Sequence, residues 1–169
     1  MDPIKTTLLR QLAAHLRGDK LHHDRFDFGT FSGTLVRGSG FGRVCETLGC
    51  ALGECPAVFP DSWGFLPRDD EWEDRAHPQI YPRLKGNPGL SPGQGAQKFF
   101  GISHHMVGHL FHARSQVDLA HPEAFRNAFY NNEAYLPTEK QLGVRATKEE
   151  VAANIEAFCD WAERTGQAA

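Results

Sequence analysis

Three histidines in "SHHMVGHLFH", His105, His109 and His112, stand at i, i+4 and i+7, which on a helix is one face. Two histidines one turn apart can chelate a metal, and a catalytic zinc needs about three protein ligands and an open position. The glutamate that completes an HExxH helix is absent, and any carboxylate ligand would have to come from the acidic run Asp69, Asp70, Glu71, Glu73 and Asp74. Met106, Val107, Leu110 and Phe111 form an apolar arc on the opposite side, so the histidine face is expected to look outward.

A second candidate is "TLVRGSGFGRV", where a β-branched stretch runs through Gly38, Gly40 and Gly42 towards an expected helix. A strand, a glycine loop and a helix N-terminus can together present backbone amides and the positive end of a helix dipole to an anion, with Arg37 and Arg43 at hand. The loop is neither phosphate fingerprint: the dinucleotide motif requires glycine at 43, and a Walker loop requires lysine followed by serine or threonine. A plain hairpin connection explains the same glycines without a ligand.

The third is "RVCETLGCALGECP", which carries Cys45, Cys50 and Cys55. Read as a helix from Val44 to Glu54 ended by Pro56, the stretch points Cys45 and Cys50 about 140° apart, so the thiols do not converge on an ion. Small buried hydrophobes are the simpler reading, and Cys159 fits it too, lying on an apolar helix stripe. A nucleophilic cysteine would need a nearby base, and no local signature supplies one. His22 and His23 have no spacing partner and receive no role.

The elements that must position these groups follow from local signals. Asp2 and Pro3 read as a helix start, with Ile4, Leu8, Leu12 and Leu16 at four-residue spacing and a stop at Gly18. "HHDRFDFGTFSGTLVRGSGFG" suits a short strand or hairpin. From Ala57 to Gln94 the chain is proline-rich and aperiodic, an irregular excursion anchored by Trp63, Phe65, Trp72 and Tyr81. Helical signals return at "GAQKFFGIS", after which Ser103 caps a helix to about Ala113, and at "HPEAFRNAFYNN" behind Pro122. Thr147 and Glu150 form a capping box ahead of Val151, Ile155, Phe158 and Ala162, with Gly166 beyond. The sum is one domain over 1–169, mainly α with a small β element (α+β). About five helices surround one core, with a long proline-rich loop or insertion at about 57–94.

With 169 residues, a net charge of −3 and no basic run, the chain offers nothing to nucleic acid, and no apolar stretch is long enough to cross a membrane. Without an export signal it reads as cytoplasmic, with reduced cysteines.

"RFDFGTF", "CETLGCALG", "AQKFFGIS" with "HLF", and "ATKEEVAANIEAF" together resemble a loose group of small bacterial and bacteriophage proteins with no assigned activity. In that group an N-terminal helix leads to a Phe-Asp-aromatic-Gly segment. A Cys-x-x-x-Gly-Cys-type helix, an FFG(I/L) helix and a Thr-capped final helix follow. The resemblance implies a shared fold and a bacterial or phage setting, and it implies no catalytic residues.

Function is then expected to be non-catalytic binding of a small anionic, nucleotide-like molecule at Arg37, Gly38, Gly40, Gly42 and Arg43, as in sequestration, with no cofactor. The rival is a metal-assisted hydrolase with zinc on His105, His109 and His112. A third reading is a module that meets a host protein or a second copy of the chain through its histidine face and aromatic loop.

Overall fold

The computed structural model describes residues 3–26, 33–37, 44–67, 80–111, 142 and 146–169. Among them are five helices and two small sheets, a mainly α architecture with a small β content.

The first helix, α1, is Thr6–Arg17. It begins later than the Asp2–Pro3 signal suggests, because Ile4 is held by a bridge to Ala168: its amide donates to Gln167 O at 2.9 Å and its carbonyl accepts from Ala169 N at 2.8 Å. The buried stripe is Thr6, Leu9, Leu12, Ala13 and Leu16, so Leu9 rather than Leu8 faces the core, as a 3.6-residue period requires. The partner of that stripe is α5, Lys148–Arg164, which buries Val151, Ile155, Phe158 and Ala162. The expected capping box at its start is present: Thr147 Oγ1 accepts from Glu150 N, and the Glu150 carboxylate accepts from Thr147 N. Outside the packed seam, Arg10 pairs with Asp160 (2.7 Å) and Glu163 (2.9 Å), and Arg17 with Glu156 (2.6 Å). These pairs are exposed and contribute little beyond helix register.

The stretch from Val44 to Glu54 is not one helix. Residues Val44–Gly49 form strand β3, the centre of a three-stranded sheet, and α2 occupies Ala51–Val58. Strand β1, Arg25–Phe26, runs parallel to β3, and β2, Gly33–Arg37, runs antiparallel to it with Gly33 opposite Leu48 and Arg37 opposite Val44. Pairing on both edges outweighs a helical spacing that the local sequence also permits. Pro56 lies inside α2 rather than ending it.

The described parts of the proline-rich segment, 57–67 and 80–94, hold more regular structure than expected. Strand β4, Trp63–Pro67, pairs antiparallel with β5, Ile80–Leu84, with Trp63 opposite Leu84. Helix α3, Pro92–Phe100, already begins within the segment, behind a Ser91–Gln94 capping box, and ends at Gly101, whose φ of 71° suits glycine. Trp63 is the anchor anticipated for this region, 1% exposed, and it packs so closely on α3 that a Cβ at Gly95 would come within 3.2 Å of its ring. Trp72, and the second helix expected after Pro122, lie outside the described residues.

Helix α4, His104–Phe111, starts where Ser103 Oγ accepts from Met106 N. Leu9, Leu12, Leu52, Trp63, Phe100, Leu110, Ile155 and Phe158 belong to one continuous apolar cluster joining all five helices and β4.

Candidate functional site

Helix α2 reads "ALGECPAV", and its only charged residue, Glu54, is completely buried. A carboxylate there needs compensation. Four N–H groups supply it. Oε2 accepts from His15 Nε2 at 2.8 Å and from the His22 amide at 2.7 Å; Oε1 accepts from His23 Nδ1 at 2.7 Å and from the His23 amide at 3.1 Å. A carboxylate only accepts, so each ring nitrogen facing it carries its proton, which fixes the orientation of both imidazoles.

Burial works to raise the Glu54 carboxyl. The hydrogen bonds from His23 and His15 and from the two amides outweigh it, holding the group down at about 2. Its four acceptor positions are filled, so Glu54 orients other groups and has no lone pair left for a metal or a substrate proton. Among the described residues, no group of three His, Cys, Asp or Glu is placed to hold a metal ion.

Three elements build this knot. Helix α1 supplies His15, the turn after Gly18 supplies His22 and His23, and α2 supplies Glu54. Strand β4 adds Phe65, on which the His22 ring stacks at 4.9 Å between centroids, while His23 meets Phe65 edge-on at 5.9 Å. His23 is 4% exposed, yet it also lines a cleft of about 780 Å3 between the turn and the start of α5. Lys20, Asp19 and Asp24 stand on one wall of the cleft, Lys148 and Glu149 on the other. Lys148 Nζ donates to Gly18 O at 2.5 Å, tying the two walls together.

The groups singled out from the sequence are placed differently. The glycine loop joins β2 to β3, two antiparallel strands, so the helix N-terminus that was to complete an anion site there does not follow it. Arg37 is the last residue of β2, and Gly38, Gly40, Gly42 and Arg43 lie outside the described residues. Of the metal trio, His109 is 4% exposed and does not face outward: α4 packs against both α3 and α5, and Asn154 Nδ2 reaches the His109 carbonyl at 3.4 Å. The trio's other members give no support, since the side chain of His105 and all of His112 lie outside what is described.

The cysteine reading is corrected in one respect: Cys45 lies on β3, so the helical angle between it and Cys50 has no meaning. Cys50, Cys55 and Cys159 are buried free thiols. Burial raises Cys55 well above the usual thiol value and raises Cys159 to about 12. Thiol titration in native buffer should therefore leave these three unmodified until denaturant is added; prompt modification of any of them in the folded protein would contradict the packing described here.

Glu54, His15 and His23 went unnoticed in the sequence because their separations, 39 and 31 residues, carry no periodic signal. One clue was available. Two adjacent histidines, His22 and His23, stood without a role close to the apolar run that carries Glu54.

No protein-family model, curated protein or solved structure matches this chain.

Proposed function

We propose that this protein binds a small polar molecule carrying an anionic group, and that the ligand occupies the cleft between the 19–26 turn and the start of α5. The observation that carries this reading is His23: a nearly buried imidazole, fixed in one orientation by Glu54, that forms part of a solvent-open cleft wall. Binding sites generally hold a few polar groups in place before the ligand arrives, and the Glu54 knot does that for His23.

Lys20 and Lys148 give the ligand's anionic group a place to sit. Asp19, Asp24 and Glu149 on the same walls favour a ligand that also offers hydrogen-bond donors, as the base and sugar of a nucleotide do. The amides at the start of α5 contribute less, because Glu150 and Thr147 already cap it. Sequestration of such a molecule, in a bacterial or phage setting, is the role that fits a binding protein of this size.

Calorimetry against mono-, di- and cyclic nucleotides, followed by His ring resonances, tests the proposal. One class should bind and move the His23 signal, and the Lys20→Ala, Lys148→Ala double variant should bind about ten-fold more weakly, a loss of about 1.4 kcal/mol. A silent panel, or full affinity in the double variant, would remove the reading.

A further inference from the structure

We propose that the turn joining β5 to α3 is a docking surface for an acidic segment of another protein. It shares no residue with the cleft and does not depend on the binding reading above.

The sequence marks the region first. Between Asp74 and Asp118 there is no aspartate or glutamate, in a chain that has 21 of them. The described part of this stretch carries Arg83, Lys85 and Lys98, and all three are held at or beside the 86–91 turn. Arg83 Nη1 donates to Pro88 O at 3.2 Å and to Leu90 O at 2.6 Å. Lys98 Nζ reaches across from α3 to Asn87 Oδ1 at 2.8 Å, and Lys85 Nζ donates to Pro60 O, beyond the end of α2, at 2.5 Å. The turn itself is closed by Asn87 N donating to Leu84 O and Leu90 N to Asn87 O, each at 3.1 Å.

Every acceptor these cations use is neutral, and among the described residues none of the three meets a carboxylate. Asp61, the nearest described acid along the chain, forms no ion pair with them. Arg83 Nε is shielded from solvent and has no acceptor. The positive charge is therefore not cancelled from within the protein. Lys85 and Lys98 are exposed, and their long side chains are already tethered, which reduces the freedom lost when a partner arrives.

The class of partner follows from how many cations there are and what lies beside them. Attraction to an anionic membrane calls for clusters of about 4 to 8 basic residues, and a DNA site of ordinary strength engages about 6 to 10 phosphates. Three cations fall short of both. At a protein interface a few charges suffice, because they set register and encounter rate while apolar contacts supply most of the affinity. Exposed Pro88 and half-buried Leu90, whose carbonyls Arg83 holds, offer that apolar contact. The fitting partner is a carboxylate-rich segment with an apolar side chain among its acids.

The test titrates the whole 15N-labelled chain at low salt with an acetylated peptide of sequence Glu-Glu-Leu-Glu-Glu-Leu. The amide resonances of Gly86, Asn87, Gly89 and Leu90 should move, and the peptide should bind about ten-fold more tightly than its counterpart with glutamine for glutamate. Added salt should weaken the binding, and the Lys85→Gln, Lys98→Gln double variant should lose about ten-fold in affinity. Both substitutions are at exposed positions, and the comparison of the two peptides needs no variant. Still resonances at the turn, movement confined to other amides, equal binding of the glutamine peptide, or full affinity in the folded double variant would each overturn the proposal. Duplex DNA or phosphatidylserine vesicles that move the same amides as strongly as the peptide would show a general attraction for anions and overturn the partner class.

Discussion

Glu54→Ala should destabilise the protein by about 3 to 5 kcal/mol, the cost of breaking a buried ionic cluster by removing its centre. The side chain is fully buried, and its loss strands four donors at once: two ring N–H groups and the amides of His22 and His23. Buried donors left without partners are expensive individually, and three of these belong to the turn that forms one wall of the cleft. Total stability of a domain this size is about 5 to 15 kcal/mol, so the variant should be marginal at room temperature. Urea unfolding is the measurement. An unfolding free energy within about 0.5 kcal/mol of wild type would mean that the knot contributes nothing to the fold.

Acid should expose the same group. The Glu54 carboxyl is lowered from 4.5 to about 2 in the folded chain. A depressed folded value means that its stabilisation is fully present above the unfolded value and disappears as pH falls from about 4.5 towards 2. The shift corresponds to roughly 3 kcal/mol. Glu54→Gln cannot lose a proton, so the gap in stability between it and wild type should be about that size at pH 7 and close progressively below pH 4.5. The exposed carboxylates Glu156 and Glu163, also held low by hydrogen bonds from Arg17 and Arg10, titrate equally in both proteins and cancel in the difference. Parallel curves from pH 7 to pH 2 would show that Glu54 is not held as described.

Which of these features could be read from the sequence depends on how far apart their partners lie. The start of α5 was legible because a capping box spans only three residues, and the stripe behind it repeats every turn. The start of α1 was misplaced by three or four residues because a bridge to Ala168, at the other end of the described chain, occupies the backbone of Ile4. Val44–Gly49 became a strand for a similar reason: its apolar residues suit either state, and the deciding hydrogen bonds come from Arg25–Phe26 and Gly33–Arg37. The same mistake moved the candidate site, since an anion loop that needs a following helix loses its logic when a strand follows. Trp63 was recognisable as an anchor through its size, but its pairing opposite Leu84 was not.

The packing of α1 on α5 also bears on how the chain acquires its structure. Arg10 and Asp160 are 150 residues apart, and Arg17 and Glu156 are 139 apart. Helix α1 emerges from a ribosome before the surface that covers Leu9, Leu12 and Leu16, which lies on α5. At about 5 to 20 residues per second, the apolar face of α1 waits on the order of 10 seconds before its partner exists. Closing so long a loop also slows folding of the completed chain. Until α5 is made, the uncovered face of α1 is therefore a substrate for chaperones, and slower translation of the stretch between the two helices should raise the fraction lost to aggregation.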